Sequence, residues 1–192
     1  MGKGRLEAFT DGVIAIIITI MVLEIKAPAG ADLAALFASA PVFLAYVLSF
    51  VNVAIFWNNH HHMLHATERI DGTVLWANMF LLFWLSLVPF VIRWIDETGM
   101  VALPTAAYGA VLAMAAIGYT LLQNALISCN GGANCTLARA VGKDIKGKLS
   151  LAAYVAAVPL AFVSAWIAIS LYVAVALMWL IPDRRIESTI KR

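Results

Sequence analysis

Charge is scarce in this sequence. Only 12% of its 192 residues are Asp, Glu, Lys or Arg, while 63% are hydrophobic and the mean hydropathy is +0.90. An ordinary soluble domain carries about 25% charged and about 45–50% apolar residues. A chain of this length has a high surface-to-volume ratio and needs more polar surface than this to stay in water. The composition excludes a soluble enzyme, a nucleic-acid binder and a disordered tail, and leaves an integral membrane protein. Cysteine is nearly absent: Cys129 and Cys135 share one short polar loop and offer neither a disulfide framework nor a four-ligand zinc site. No internal repeat of 20–50 residues is visible. No helix carries arginine at every third position, which excludes a voltage-sensor domain. The first apolar run ends at Glu24 and Lys26 without a small-residue cleavage site, so it reads as a retained span and not as a signal peptide. Asn134-Cys135-Thr136 fits the glycosylation pattern, a short and weak match.

What the chain does have is long apolar runs. A membrane-crossing helix needs about 17–25 mostly apolar residues. Six segments are candidates, at about 9–25, 35–58, 73–95, 102–127, 150–164 and 166–181, the last two of them short. Gly30, Asp32, the Glu68–Gly72 cluster and Asp96–Gly99 separate the first four, and residues 128–148 form the longest polar connection. The last two spans divide near Ser164, with Pro159 as an alternative kink in one longer helix. The expected fold is an all-α integral membrane protein with six transmembrane helices in a single domain, 1–192.

Six crossings place both termini on one side. That side carries Lys3, Arg5, Arg69, Arg139, Lys143, Lys146, Lys148, Arg184, Arg185, Lys191 and Arg192, leaving Lys26 and Arg93 opposite. The positive-inside rule then puts both termini in the cytoplasm. Trp57, Trp94 and Trp179 fall near the expected span ends, where interfacial aromatics gather.

The first span is the most informative. Arg5, Glu7 and Asp11 crowd the entry to a strongly apolar helix, either as an ordinary anchor or as the start of a polar network that fixes its rotation. Phe9, Val13, Ile16, Ile20 and Leu23 then follow in a heptad seam suited to packing around a symmetry axis. Thr19 is the only polar side chain between Asp11 and Glu24; its plain reading is a hydroxyl bonded back to the carbonyl of Ala15.

Arg5-x-x-x-Phe9-Thr10-Asp11-Gly12-Val13, an isoleucine-rich span, and Phe56-Trp57-Asn58-Asn59-His60 together resemble the transmembrane protein 175 family. These are endosomal, lysosomal and prokaryotic potassium channels without a TVGYG filter. The family motif R-x-x-x-F-S-D has serine where this chain has Thr10, a change that keeps the hydroxyl. Gly118-Tyr119-Thr120 lacks the preceding Thr-Val-Gly and is no such filter.

The resemblance implies six helices per repeat, a pore lined by the first helix, and a homotetramer for a single-repeat chain. Carried over by motif position, Ile16 is the narrowest aliphatic ring, with Ile20 and Leu23 as further rings outward. Thr19 matches a threonine linked to potassium preference. Arg5, Thr10, Asp11, Trp57 and His60 match a supporting polar network. No cofactor is expected beyond the permeant potassium ion, and the single repeat points to a prokaryotic plasma membrane. The competing readings are a weakly selective cation or proton leak on the same scaffold, a transporter hinted at by Pro41, Pro89 and Pro159, and a histidine-metal membrane protein.

The last of these rests on His60, His61, His62 and His65. On a helix His61 and His65 share a face, a spacing that suits a transition metal. His-Glu-x-x-His is absent, and interfacial polarity is the plainer role for all but His60, for which the resemblance suggests Arg5 or Asp11 as partner. Asn52 and Asn78 read as amides bonding across helices. Arg93, Asp96 and Glu97 read as a solvated cluster, and Glu24 as an interfacial acid or a ring that concentrates cations at an outer mouth.

Overall fold

The computed structural model describes residues 2–180. Among them the secondary structure is helical without strands: α1 (Lys3–Leu23), α2 (Leu33–Ala38), α3 (Ala40–His65), α4 (Gly72–Ser86), α5 (Val88–Thr98), α6 (Ala102–Cys129), α7 (Thr136–Val141), α8 (Ile145–Ala161) and α9 (Ala165–Leu180). A short 3₁₀ turn at Gly132–Asn134 precedes α7. Isoleucine runs are poor helix formers in water. In hydrocarbon, however, each backbone N–H and C=O needs a partner within its own segment, which makes helix the available form. Asp32, Asp71 and Asp144 cap α2, α4 and α8 by accepting from the amides of Ala35, Val74 and Gly147.

Among the described residues four stretches are long and apolar enough to cross a membrane: Lys3–Leu23, Ala40–His65, Gly72–Thr98 and Ala102–Cys129. The third is α4 and α5 taken together. It breaks at Leu87 because Pro89 lacks an N–H and its ring would meet the carbonyl four residues back. α8 and α9 are shorter, at 17 and 16 residues, and meet around Ser164 as the sequence suggests. The basic residues Arg184, Arg185, Lys191 and Arg192 and the last residue of the sixth expected span lie outside the described residues.

Two boundaries differ from the sequence reading in a way that matters. α3 runs eight residues past Trp57, through the whole histidine cluster, so Trp57 lies inside the helix and not at its end. α1 starts at Lys3, which puts Arg5, Thr10 and Asp11 on helical faces.

The central packing is α4 against α6 and α6 against α8. Gly118 lets the first pair approach: a methyl group there would lie 2.9 Å from the Leu81 Cα. Tyrosines tie α3, α6, α8 and α9 together in the same layer. Tyr108 and Ser49 share a hydrogen bond, Tyr154 donates to Asn52 and Tyr172 donates to the carbonyl of Thr105. Asn52 therefore bonds across helices as expected.

Both ends of α1 are tied down. At its start the Lys3 ammonium donates to the carbonyl of Thr67, just beyond α3, at 2.9 Å. That α3–α4 connection is itself clamped by Asn130, whose side chain accepts from the Glu68 and Arg69 amides and donates to the Arg69 carbonyl. At its other end Glu24 pairs with Arg93 of α5 at 3.2 Å.

Candidate functional site: the face and the anchors of the first helix

α1 has two unlike faces. Leu6, Thr10, Ile14, Ile17 and Met21, spaced four, four, three and four apart, are buried against α3, α4 and α5. The opposite face carries Phe9, Ile16, Ile20 and Leu23, which are 45%, 58%, 39% and 80% exposed. Val13, the remaining member of the expected seam, is half-buried. Hydrophobicity is the same on both faces, so it could not single out either one. The polar residue at Thr10 and the packing of the core decide which face turns inward.

That inward face is fixed by three side chains from three helices. The Asn78 amide of α4 donates to the Thr10 hydroxyl at 2.9 Å, and its carbonyl oxygen lies 2.8 Å from Nε2 of His60 on α3. With the carbonyl oxygen as acceptor, His60 Nε2 carries the proton. All three residues are at most 2% exposed. His60 thus pairs with Asn78, and not with Arg5 or Asp11 as the resemblance suggested. The sequence marked Asn78 only as a cross-helix amide; its place at the centre of this triad comes from α3 and α4 packing side by side on α1.

Asp11 forms a separate contact, accepting from the Trp57 indole N–H at 2.8 Å on the exposed side of α1 and α3. Arg5 stands exposed and joins neither contact within the chain. The five residues of the expected network therefore divide into a buried part (Thr10, His60), a surface pair (Asp11, Trp57) and an outlying Arg5.

Thr19 is exposed on the seam side, and its hydroxyl donates to the carbonyl of Ile16 at 2.9 Å, one residue later than the expected Ala15. With its hydrogen committed to the backbone, the oxygen keeps its acceptor lone pairs.

At the far end of α1 the acidic and basic residues form one cluster. Arg93 holds both Glu24 and Glu97, and Lys26 lies 3.9 Å from Asp96 and 3.8 Å from Glu97. Arg93 and Glu97 are solvated as expected, and Lys26 with them, while one oxygen of Asp96 is buried without a hydrogen-bond partner among the described residues. Glu24 is neutralised by Arg93, which weakens its reading as a lone anionic ring.

The remaining histidines lie along the exposed end of α3. His61 stacks on Trp57, and its ring meets that of His65 with centroids 4.8 Å apart. Among the described residues no three His, Cys, Asp or Glu side chains gather as metal ligands.

The family model described as endosomal/lysosomal potassium channel TMEM175 matches residues 5–89, the stretch that holds the triad, the seam and the Asp11–Trp57 pair. A protein named as a potassium channel from Chryseobacterium sp. (strain P1-3) is 50% identical over 191 residues, spanning 100% of this chain and 99% of that one. The chain belongs to the TMEM175 family. The crystal structure titled as a lysosomal potassium-selective channel TMEM175 homolog from Chamaesiphon minutus superposes with a TM-score of 0.81 at 27% identity, covering 93% of this chain and 96% of that chain. The human endosomal/lysosomal proton channel TMEM175 is 40% identical over 81 residues, 35% of this chain and 16% of its own length. With a TMEM175 fold and four apolar helices of crossing length, the chain is an integral membrane protein.

Proposed function

We propose that the chain is the subunit of a potassium-selective channel, in which four copies place the exposed seam of α1 around a common axis. The observation that carries this reading is the division of α1: one face locked into its own subunit by Thr10, Asn78 and His60, the other left as an uncovered aliphatic row at Ile16, Ile20 and Leu23. Homologues named potassium channels, one of them matching over the whole length, support the choice of ion. In this reading residues 1–192 are a single domain of six crossings, with α8 and α9 as the fifth and sixth. Both termini lie in the cytoplasm of a prokaryotic cell, and no catalytic residue or cofactor is involved.

The physics of such a pore differs from that of a carbonyl filter. A ring of Ile16 side chains offers no oxygen to replace an ion's water, so when narrow it blocks by expelling water. Conduction requires the ring to widen, by a small rotation or tilt of α1 against its anchors. Potassium is favoured over sodium because it sheds hydration more readily, and the Thr19 oxygens supply acceptors less than one turn beyond the constriction. The expected selectivity is moderate.

The test is passive flux from the purified chain in liposomes without an energy source. Potassium flux exceeding sodium flux is the expected result, with Ile16→Asn raising the leak of both by wetting the ring. No flux of either ion refutes the channel reading. A second reading, a proton path on the same scaffold, is favoured by the name of the human relative; it predicts that a proton gradient collapses without potassium movement.

A further inference from the structure

The two charged ends of the bundle are built differently. From Gly131 to Ser150 the sequence holds Arg139, Lys143, Lys146 and Lys148 against a single acid, Asp144. This segment lies at the end where α1 starts, because Asn130 just before it clamps the Glu68–Arg69 connection, whose neighbour Thr67 holds Lys3. Its backbone is firmly held. Leu137 and Ala140 of α7 are buried, the Gly142 amide donates back to the Ala138 carbonyl, and the Asp144 carboxylate is engaged in capping α8. Arg139, Lys143 and Lys148 are exposed, and among the described residues none of their side chains has an ion-pair or hydrogen-bond partner. At the opposite end Lys26 and Arg93 each meet two carboxylates. Two further observations set the depth of the unpaired cations. Ile145 and Leu149, four apart on one face of α8, are 62% and 56% exposed, with Lys148 beside them. The Trp179 indole donates to the Ser150 hydroxyl at 2.8 Å, which brings an aromatic of the interfacial kind level with the first turns of α8.

We propose that the segment from α7 into the start of α8 is a docking surface for anionic phospholipid, such as phosphatidylglycerol, whose phosphodiester carries no ammonium of its own. Arg139, Lys143 and Lys148 reach the headgroups, while Ile145 and Leu149 meet the beginning of the acyl chains. Charge complementarity selects this occupant. A zwitterionic headgroup would bring a further ammonium among cations that already lack a counter-charge. A soluble acidic partner would have to cover Ile145 and Leu149 at the level of Trp179, where lipid already lies. The inference rests on the chain spanning a membrane and is independent of what passes through it.

The full chain, purified in mild detergent, is titrated with phosphatidylglycerol and phosphatidylcholine of one acyl composition, and with free glycerol phosphate, and the bound species are counted by native mass spectrometry. Each Lys or Arg near an anionic membrane surface changes affinity by up to about fivefold, so three should favour phosphatidylglycerol by at least about tenfold. Arg139→Gln, Lys143→Gln and Lys148→Gln should each lower that preference, and the three together should abolish it. Lys26→Gln removes one exposed cation at the opposite end, where carboxylates already surround it, and should leave the preference unchanged. Equal retention of the two lipids overturns the proposal. A loss in Lys26→Gln as large as that in Lys148→Gln also overturns it, because retention would then follow net charge alone. Free glycerol phosphate that displaces the lipid overturns the membrane source. The ranking of the two lipids on the unmodified chain decides the matter even if a variant does not fold.

Discussion

Asn78 and Thr10 meet across the α4–α1 contact, amide to hydroxyl at 2.9 Å, with both residues fully buried. The same amide holds His60 by its carbonyl oxygen. In a molecule this apolar, that bond is the feature that distinguishes the inward face of α1 from the outward one.

Asn78→Leu keeps the branching and heavy-atom count of the side chain but strands the Thr10 hydroxyl and the His60 ring. A buried polar group left without its partner costs about 1–3 kcal/mol, while interhelical bonds in membranes average nearer 0.6 kcal/mol. The expected loss lies in the lower part of that range, read as a fall in the thermal midpoint in detergent. Adding Thr10→Val removes the stranded hydroxyl and should recover part of the loss. A double variant no more stable than Asn78→Leu alone would show that the two residues are not energetically coupled.

Gly118 and Gly12 give opposite expectations. A methyl group at Gly118 would press on the α4 backbone at Leu81 and on the Phe80 ring, forcing α4 and α6 apart. Gly118→Ala should therefore cost about 1–3 kcal/mol, the usual range for overpacking. Nothing lies within 4 Å of a methyl group at Gly12, so within one chain Gly12→Ala should gain the roughly 0.5–1 kcal/mol of helix propensity. Thermal unfolding of the two variants side by side tests the sign of each.

Arg93→Gln should release the outer end of α1. Glu24 and Glu97 would both lose their guanidinium partner, leaving Lys26 as the nearest cation to Glu97. Because the Arg93 and Lys26 side chains are more than half exposed, the predicted effect is functional and salt-dependent: potassium flux rises at low ionic strength, and the difference from the unmodified chain shrinks as salt screens the cluster. Flux identical to the unmodified chain at both salt levels would show that the pair does not restrain α1.

Much of this was legible in the sequence because it was a matter of counting. Scarce charge and long apolar runs fixed the helical membrane class, and Gly30, Asp71 and Gly99 marked the connections correctly. The seam at Phe9, Ile16, Ile20 and Leu23 could be written down, but its exposure could not, since Ile14, Ile17 and Met21 opposite are equally apolar. The partner of His60 was out of reach for a different reason. Nothing local distinguishes Asn78 from Asn52, and only the placement of α3 and α4 around α1 brings the right amide to the ring. The extension of α3 through His65 was hidden because polar residues after Trp57 read as the end of a span, although the helix continues beyond the apolar core.

The central claim is that the exposed seam of α1 faces the ion path of a tetramer. Its most direct test is Ile16→Cys in a chain with Cys129→Ser and Cys135→Ser, recorded in a planar bilayer with cadmium ion added. Four thiols around one axis would bind the metal, so the account predicts that micromolar cadmium blocks the potassium current and that a chelator restores it. The cysteine-free parent should be unaffected. A conducting Ile16→Cys channel whose current is indifferent to cadmium would contradict the placement of Ile16 at the constriction.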